Sequence, residues 1–190
     1  MTDDPDEATF RRVAYHEAGH AIVGHLLGLP PAKRIFISSQ GGGVEVSRPR
    51  IQTLETAKNE ITTLLAGRAA EKLIFGYSSN GAGGDKTSDL ALSTELALNI
   101  STRWGLGIDT PVYQPIGHEQ WHRMPKRVRK DVVRYLETGT QKASEILSGN
   151  VEALERIANA LLEHRELDGY DLRRLITDSA KTSINRRALE

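Results

Sequence analysis

Residues 16–20 read HEAGH and residues 118–122 read HEQWH. Both spell H-E-x-x-H, and both could in principle do the same chemistry. On an α-helix, two histidines four positions apart lie on one face, one turn apart, where their imidazoles can share a divalent metal. The glutamate after the first histidine then stands beside the metal's open position, placed to take a proton from water. Off a helix the spacing carries no such meaning. A pattern this short arises by accident in on the order of one in a hundred chains of this composition. One decoy is therefore unremarkable, and two working sites in 190 residues are not expected.

The elements that must position these residues decide between them. Residues 6–28 have helical apolar spacing through Phe10, Val13, Ala14, Ala18, Ala21, Ile22 and Leu26, with Asp6 as N-cap and Gly28, Pro30 and Pro31 as the stop. HEAGH falls in the middle of that helix. Gly19 weakens it by about 1 kcal/mol relative to Ala, which implies that something must approach where the side chain is missing, a strand or a substrate. HEQWH sits between Pro115-Ile116-Gly117 and Met124-Pro125. Too few residues separate that punctuation for a self-supporting helix, so His118, Glu119 and His122 read as loop residues, with Trp121 as a packing anchor.

A catalytic zinc takes three protein ligands and leaves a position open. The extended pattern with Gly at 23 and His at 26 is absent, since Val23 and Leu26 stand there. His25 is out of phase with His16 and reads as a surface histidine. The third ligand must come from elsewhere, and carboxylates near helix starts in mid-chain are the candidates: Glu71, Asp85 and Asp89.

Around the motif, RIFIS and VEVS flank SQGGG and predict a β-hairpin with a glycine turn. Residues 53–76 predict one long helix ended by Gly76. Residues 77–87 predict a glycine-rich loop, and residues 88–105 a helix opened by Ser88 or Asp89. The last third is helical: one helix marked by Val128, Val132, Leu136, Ala143 and Ile146, one from Asn150 through Leu162, and one opened by Asp168 and running through Ile176. The basic run 123–134 reads as the solvated face of a helix.

Bulk composition narrows the function classes. Charges balance at 25 against 25, so nothing pulls the chain toward nucleic acid or an anionic membrane. There is no cysteine, which removes thiolate metal sites, thiol nucleophiles and disulfides. No apolar run approaches a membrane span, and the acidic start is unlike a signal peptide. The expectation is a soluble, cytoplasmic chain of one domain. GAGGDKTS, 81–88, approaches the phosphate-binding P-loop but fails it, because Asn80 stands where the first Gly belongs and Asp85 where Gly must precede Lys86.

Four blocks in order, RRVAYHEAGHAIVGHLLG, LLAGRAAEKLIFG, GAGGDKTSDLALSTELALNISTRWGLG and LERIANALLEHRELDGYDLRRLI, resemble the peptidase domain of the FtsH-type AAA metalloproteases. The resemblance runs from about Phe10 to Ile176. It implies a mainly α fold over 1–190, a helical zinc-peptidase domain with a small β-hairpin and a C-terminal helical bundle. The zinc-site half would be 6–105 and the C-terminal helical half 126–183. It implies Zn2+ held by His16, His20 and Asp89, since Leu90 and Thr94 follow Asp89 as in the family, while Asp85 keeps only the preceding GAGGD; a four-residue insertion separates the two. Glu71 would orient a ligand from behind. Proteins of this family carry an ATPase module and membrane anchors, and neither is within these residues. The resemblance implies a polypeptide substrate and leaves room for a separate ATPase partner and a homo-oligomer; ring contacts in the family lean partly on the ATPase modules, so a weak or absent oligomer is the expectation for this chain alone.

Two functions follow. In the first, a zinc endopeptidase cleaves unfolded polypeptides, with Glu17 as the base and the hairpin edge at Val44–Val46 pairing with substrate. In the second, a zinc-bearing relative serves as an adaptor with little turnover. The intact Glu17 favours the first.

Overall fold

The computed structural model describes residues 7–47, 51–107, 113–114 and 117–177. Asp6 as an N-cap, Pro111, Pro115 and residues 178–183 of the expected C-terminal half lie outside them.

The first helix, α1 (Glu7–Leu26), is the axis of the molecule. Ten consecutive residues, Ala14 to Val23, are buried. A helix enclosed on every side is a core helix and not an amphipathic surface one; Leu26, expected on its apolar face, is 46% exposed. Gly19 has the close neighbour its cost implied, but that neighbour is a helix. A Cβ there would lie 2.8 Å from both the Ala66 carbonyl oxygen and the Ala70 Cβ.

The chain then forms β1 (Ala32–Ser38) and β2 (Gly41–Val46), antiparallel, with Ile37 opposite Gly42. The turn is shorter than expected, because Gly41, Gly42 and Gly43 belong to β2 itself. Gly42 is required there: a Cβ would lie 2.6 Å from Glu17 Cγ and 2.8 Å from the Phe36 carbonyl oxygen.

The helix expected over 53–76 is two helices, α2 (Leu54–Leu64) and α3 (Ala66–Phe75), joined at Leu65. Thr53 and Thr56 close a capping box at the start of α2, and Gly76 in the left-handed conformation ends α3. α4 (Asp89–Thr102) starts from the N-cap Ser88, whose hydroxyl accepts from the Ala91 amide. HEQWH is a short 3-10 turn, His118–Arg123, interrupted at Gln120, with Trp121 packed against the second core.

α5 (Lys126–Ser148) and α6 (Val151–His164) complete the bundle. Asn150 precedes α6 but does not cap it; its side chain donates back to the Ile146 carbonyl of α5. A strand absent from the sequence expectation, β3 (Glu166–Asp168), pairs with β1 and makes the sheet three-stranded, in the order β2-β1-β3. Asp168 then accepts from the amides of Tyr170 and Asp171 and opens a helix over 169–177, α7. Between α6 and β3 stands Arg165, at φ 66°, unusual for a side chain other than glycine. Its guanidinium lies 4.1 Å from the Phe10 ring centroid and its carbonyl accepts from the Ile37 amide, and these contacts hold the conformation.

Two apolar clusters form the core. One joins α1, the sheet and α3 to α5, α6 and α7; the other joins α2 and α4 to Met124, Val128 and Val132. Each draws on residues before 105 and after 124. Among the described residues no helix is long and apolar enough to cross a membrane.

Candidate metal centre

Three atoms able to bind a metal, one each from His16, His20 and Asp89, converge beside the middle of α1. His16 and His20, one turn apart on α1, have ring centroids 4.8 Å apart. His16 Nε2 lies 3.1 Å and His20 Nε2 3.2 Å from Asp89 Oδ2. Asp89 is carried there as the first residue of α4, directly after its cap. Asp85, the alternative carboxylate, is exposed, and its Oδ1 accepts from the Thr87 amide and hydroxyl at 2.6 and 2.7 Å.

Both imidazoles are fixed from behind. Glu71 Oε1 accepts from His16 Nδ1 at 2.7 Å, and the Thr63 carbonyl accepts from His20 Nδ1 at 2.7 Å. Thr63 lies in the last turn of α2, just before the break at Leu65, where a helix carbonyl can accept from a side chain. With acceptors at Nδ1, the proton of each neutral ring sits on Nδ1 and the Nε2 lone pair faces Asp89. Two lone pairs and a carboxylate oxygen this close repel unless a proton or a cation lies among them. A tetrahedral zinc with bonds of ~2.0–2.1 Å has ligand-to-ligand edges of about 3.3 Å, close to the separations seen. The residues present therefore fit a zinc ion.

Glu71 is 1% exposed and holds more than the histidine. It also accepts from the Ser79 amide at 2.6 Å, the Ser79 hydroxyl at 3.1 Å and Arg12 at 2.9 Å. Burial would raise its pKa, but the hydrogen bonds of His16, Ser79 and Arg12 outweigh that and hold it at about 2. Burial likewise works against the charge of Asp89, and His16 and His20 overcome it and hold its carboxyl far below the usual range. In the metal-free chain burial lowers the His16 imidazole, but hydrogen bonds to Asp89 and Glu71 carry it up to about 9. Glu17, 8% exposed, is pushed up by burial, with the His20 and His16 charges in opposition.

This cluster opens into a cleft of about 970 Å³. Glu17, all of Gly41 to Val44, Tyr77 and Leu92 line it. His25, expected at the surface, is half-buried and also lines it. Sequence reasoning missed Arg12, Ser79 and the Thr63 carbonyl. Arg12 stands one turn before His16 on the same helix face, a spacing that could have drawn notice. Nothing local marks Ser79 or a backbone carbonyl.

A buried helix that presents two imidazoles to a carboxylate, with a glutamate lining the same open cleft, is the arrangement of a metalloprotease-type domain. The chain belongs to peptidase family M41, whose profile matches residues 5–175. It is 31% identical to the ATP-dependent zinc metalloprotease FtsH 1 of Bdellovibrio bacteriovorus, over 91% of this chain and 30% of that protein. It is 35% identical to the ATP-dependent zinc metalloprotease FtsH 1 of Symbiobacterium thermophilum, over 87% of this chain and 28% of the relative. The chain thus spans under a third of the length of these relatives.

Proposed function

We propose that the chain is a zinc-dependent endopeptidase domain, one unit over 1–190, that hydrolyses peptide bonds in unfolded polypeptides. The observation that carries this reading is the convergence of His16, His20 and Asp89 on one point, with Glu17 lining the same cleft. His16, His20 and Asp89 are the ligands. Zinc held there supplies a Lewis acid for the scissile carbonyl and lowers the pKa of a water to about 7.

The chain's own residues do the rest. Glu71 and the Thr63 carbonyl keep Nδ1–H and so keep each Nε2 available. Glu17 takes the proton of the attacking water and passes it to the leaving amine. β2 is an edge strand of the sheet and lines the cleft. Its open edge suits an extended backbone added as a further strand. Such pairing needs a segment free of its own secondary structure, which native proteins expose only through local opening. The relatives are named as ATP-dependent, so a separate ATPase that would open native substrates belongs to this proposal.

The test is a digest of one substrate protein, native and unfolded, each with and without ATP. The unfolded form should be cut and the stable native form spared, with no response to ATP. Comparable cleavage of the native form would refute the substrate class. Retention of zinc with no cleavage of any peptide would point to a binding module.

Zinc uptake should also depend on pH. The ligand form of His16 is neutral, yet the metal-free imidazole binds its proton up to about pH 9. Below that pH, zinc must displace the proton. Affinity should therefore rise with pH between 7 and 9, roughly tenfold per unit from this group, and flatten above. Calorimetry in buffers of different ionisation enthalpy should show close to one proton released at pH 7.

A further inference from the structure

The block AGRAAEKLIF carries more than Glu71. Gly67 and Glu71 lie four residues apart on α3, on one face of the helix. Glu71 reaches His16 through Nδ1. Gly67 meets the other side of the same ring: a Cβ there would lie 2.3 Å from His16 Nε2 and 2.5 Å from both Cδ2 and Cε1. Real Cβ atoms do not approach a ring so closely. The ring therefore lies over bare backbone, and its ligand nitrogen is the atom nearest the missing side chain.

The ring has no room to yield in place. Its Nδ1 is held by Glu71 and its Nε2 faces Asp89, so rotation breaks one contact or both. Nor is there slack between the helices, because Gly19 already lies against Ala66 and Ala70. We propose that Gly67 is a positioning residue of the metal centre: with Glu71 it forms a cradle, G-x-x-x-E on one helix face, that seats the His16 imidazole. Gly67 acts through His16 and does not touch substrate. This inference rests on the assignment of His16 as a ligand, but the cradle itself can be tested without metal.

Elsewhere in a helix, alanine in place of glycine stabilises. A double-mutant cycle on the metal-free chain uses that sign. In the His16→Ala background the obstructing ring is gone, so Gly67→Ala should raise Tm by about 2–4 °C. With His16 present, Gly67→Ala should lower Tm. Zinc affinity, read by chelator competition, should fall roughly 10–100-fold in Gly67→Ala. An equal rise in Tm in both backgrounds, or wild-type zinc affinity in Gly67→Ala, would overturn the proposal. So would failure of Gly67→Ala to fold in both backgrounds, since the clash would then lie elsewhere than the ring. If the unaltered chain binds no zinc, the metal-centre assignment fails, and the metal-free cycle still decides whether the cradle exists.

Discussion

Glu17→Gln should keep zinc and lose turnover. The amide is nearly isosteric, so the packing of Glu17 Cγ against β2 at Gly42 survives the change. What disappears is the group that can accept a proton. General-base catalysis is worth roughly 10²–10⁴-fold, and kcat on an unfolded substrate or a fluorogenic peptide should fall by that much. KM should change little, because the strand edge that would hold substrate is untouched. Metal content per chain, measured on the same preparation, separates a lost base from a lost metal. Unchanged kcat in this variant would remove Glu17 from the mechanism and leave the endopeptidase reading without its base.

Asp89→Asn should lower zinc affinity far more than Asp85→Asn. Asp89 is the only carboxylate that faces both Nε2 atoms among the described residues, and it keeps its charge against burial because the two histidines outweigh that cost. A neutral amide in its place presents a weaker donor to a cation. The loss should reach about 100-fold or more, beyond the usual effect of groups that only support a ligand. Asp85→Asn removes an exposed turn acceptor and should leave metal binding as it was. Equal losses in the two variants would mean that the chain rearranges around the ion.

His16, Glu17 and His20 are legible in the sequence because their relation is internal to one helix. Spacing alone places both imidazoles on one face. Asp89 and Glu71 come from other helices, and nothing local says how α3 and α4 pack on α1. Spacing left Glu71, Asp85 and Asp89 open; only the family resemblance separated them. The same divide runs through the fold. Periodicity finds α1, α4, α5 and α6, and Asp168 signals the start of α7. The break at Leu65 has no Pro and no adjacent Gly to announce it; the helical pattern continues across it. β3 is three residues long, and its strand conformation comes from pairing with β1. Gly41 to Gly43 read as a turn by composition, yet they form a strand, and Glu17 and Val13 leave no room for a side chain at Gly42.

The pairing of Arg34 with Asp168 has a consequence in time. More than a hundred residues separate the two strands, and a ribosome adds about 5–20 residues per second. The β1–β2 hairpin must therefore wait on the order of ten seconds with its far edge open, and the middle of α1, which the finished fold buries from Ala14 to Val23, waits with it for α6. Exposed strand edges and bare core helices are what chaperones bind and what nascent chains aggregate through. This chain should be most vulnerable during its own synthesis, and shortening it ahead of Glu166 should yield insoluble protein even though His16, Glu17, His20, Glu71 and Asp89 are already made.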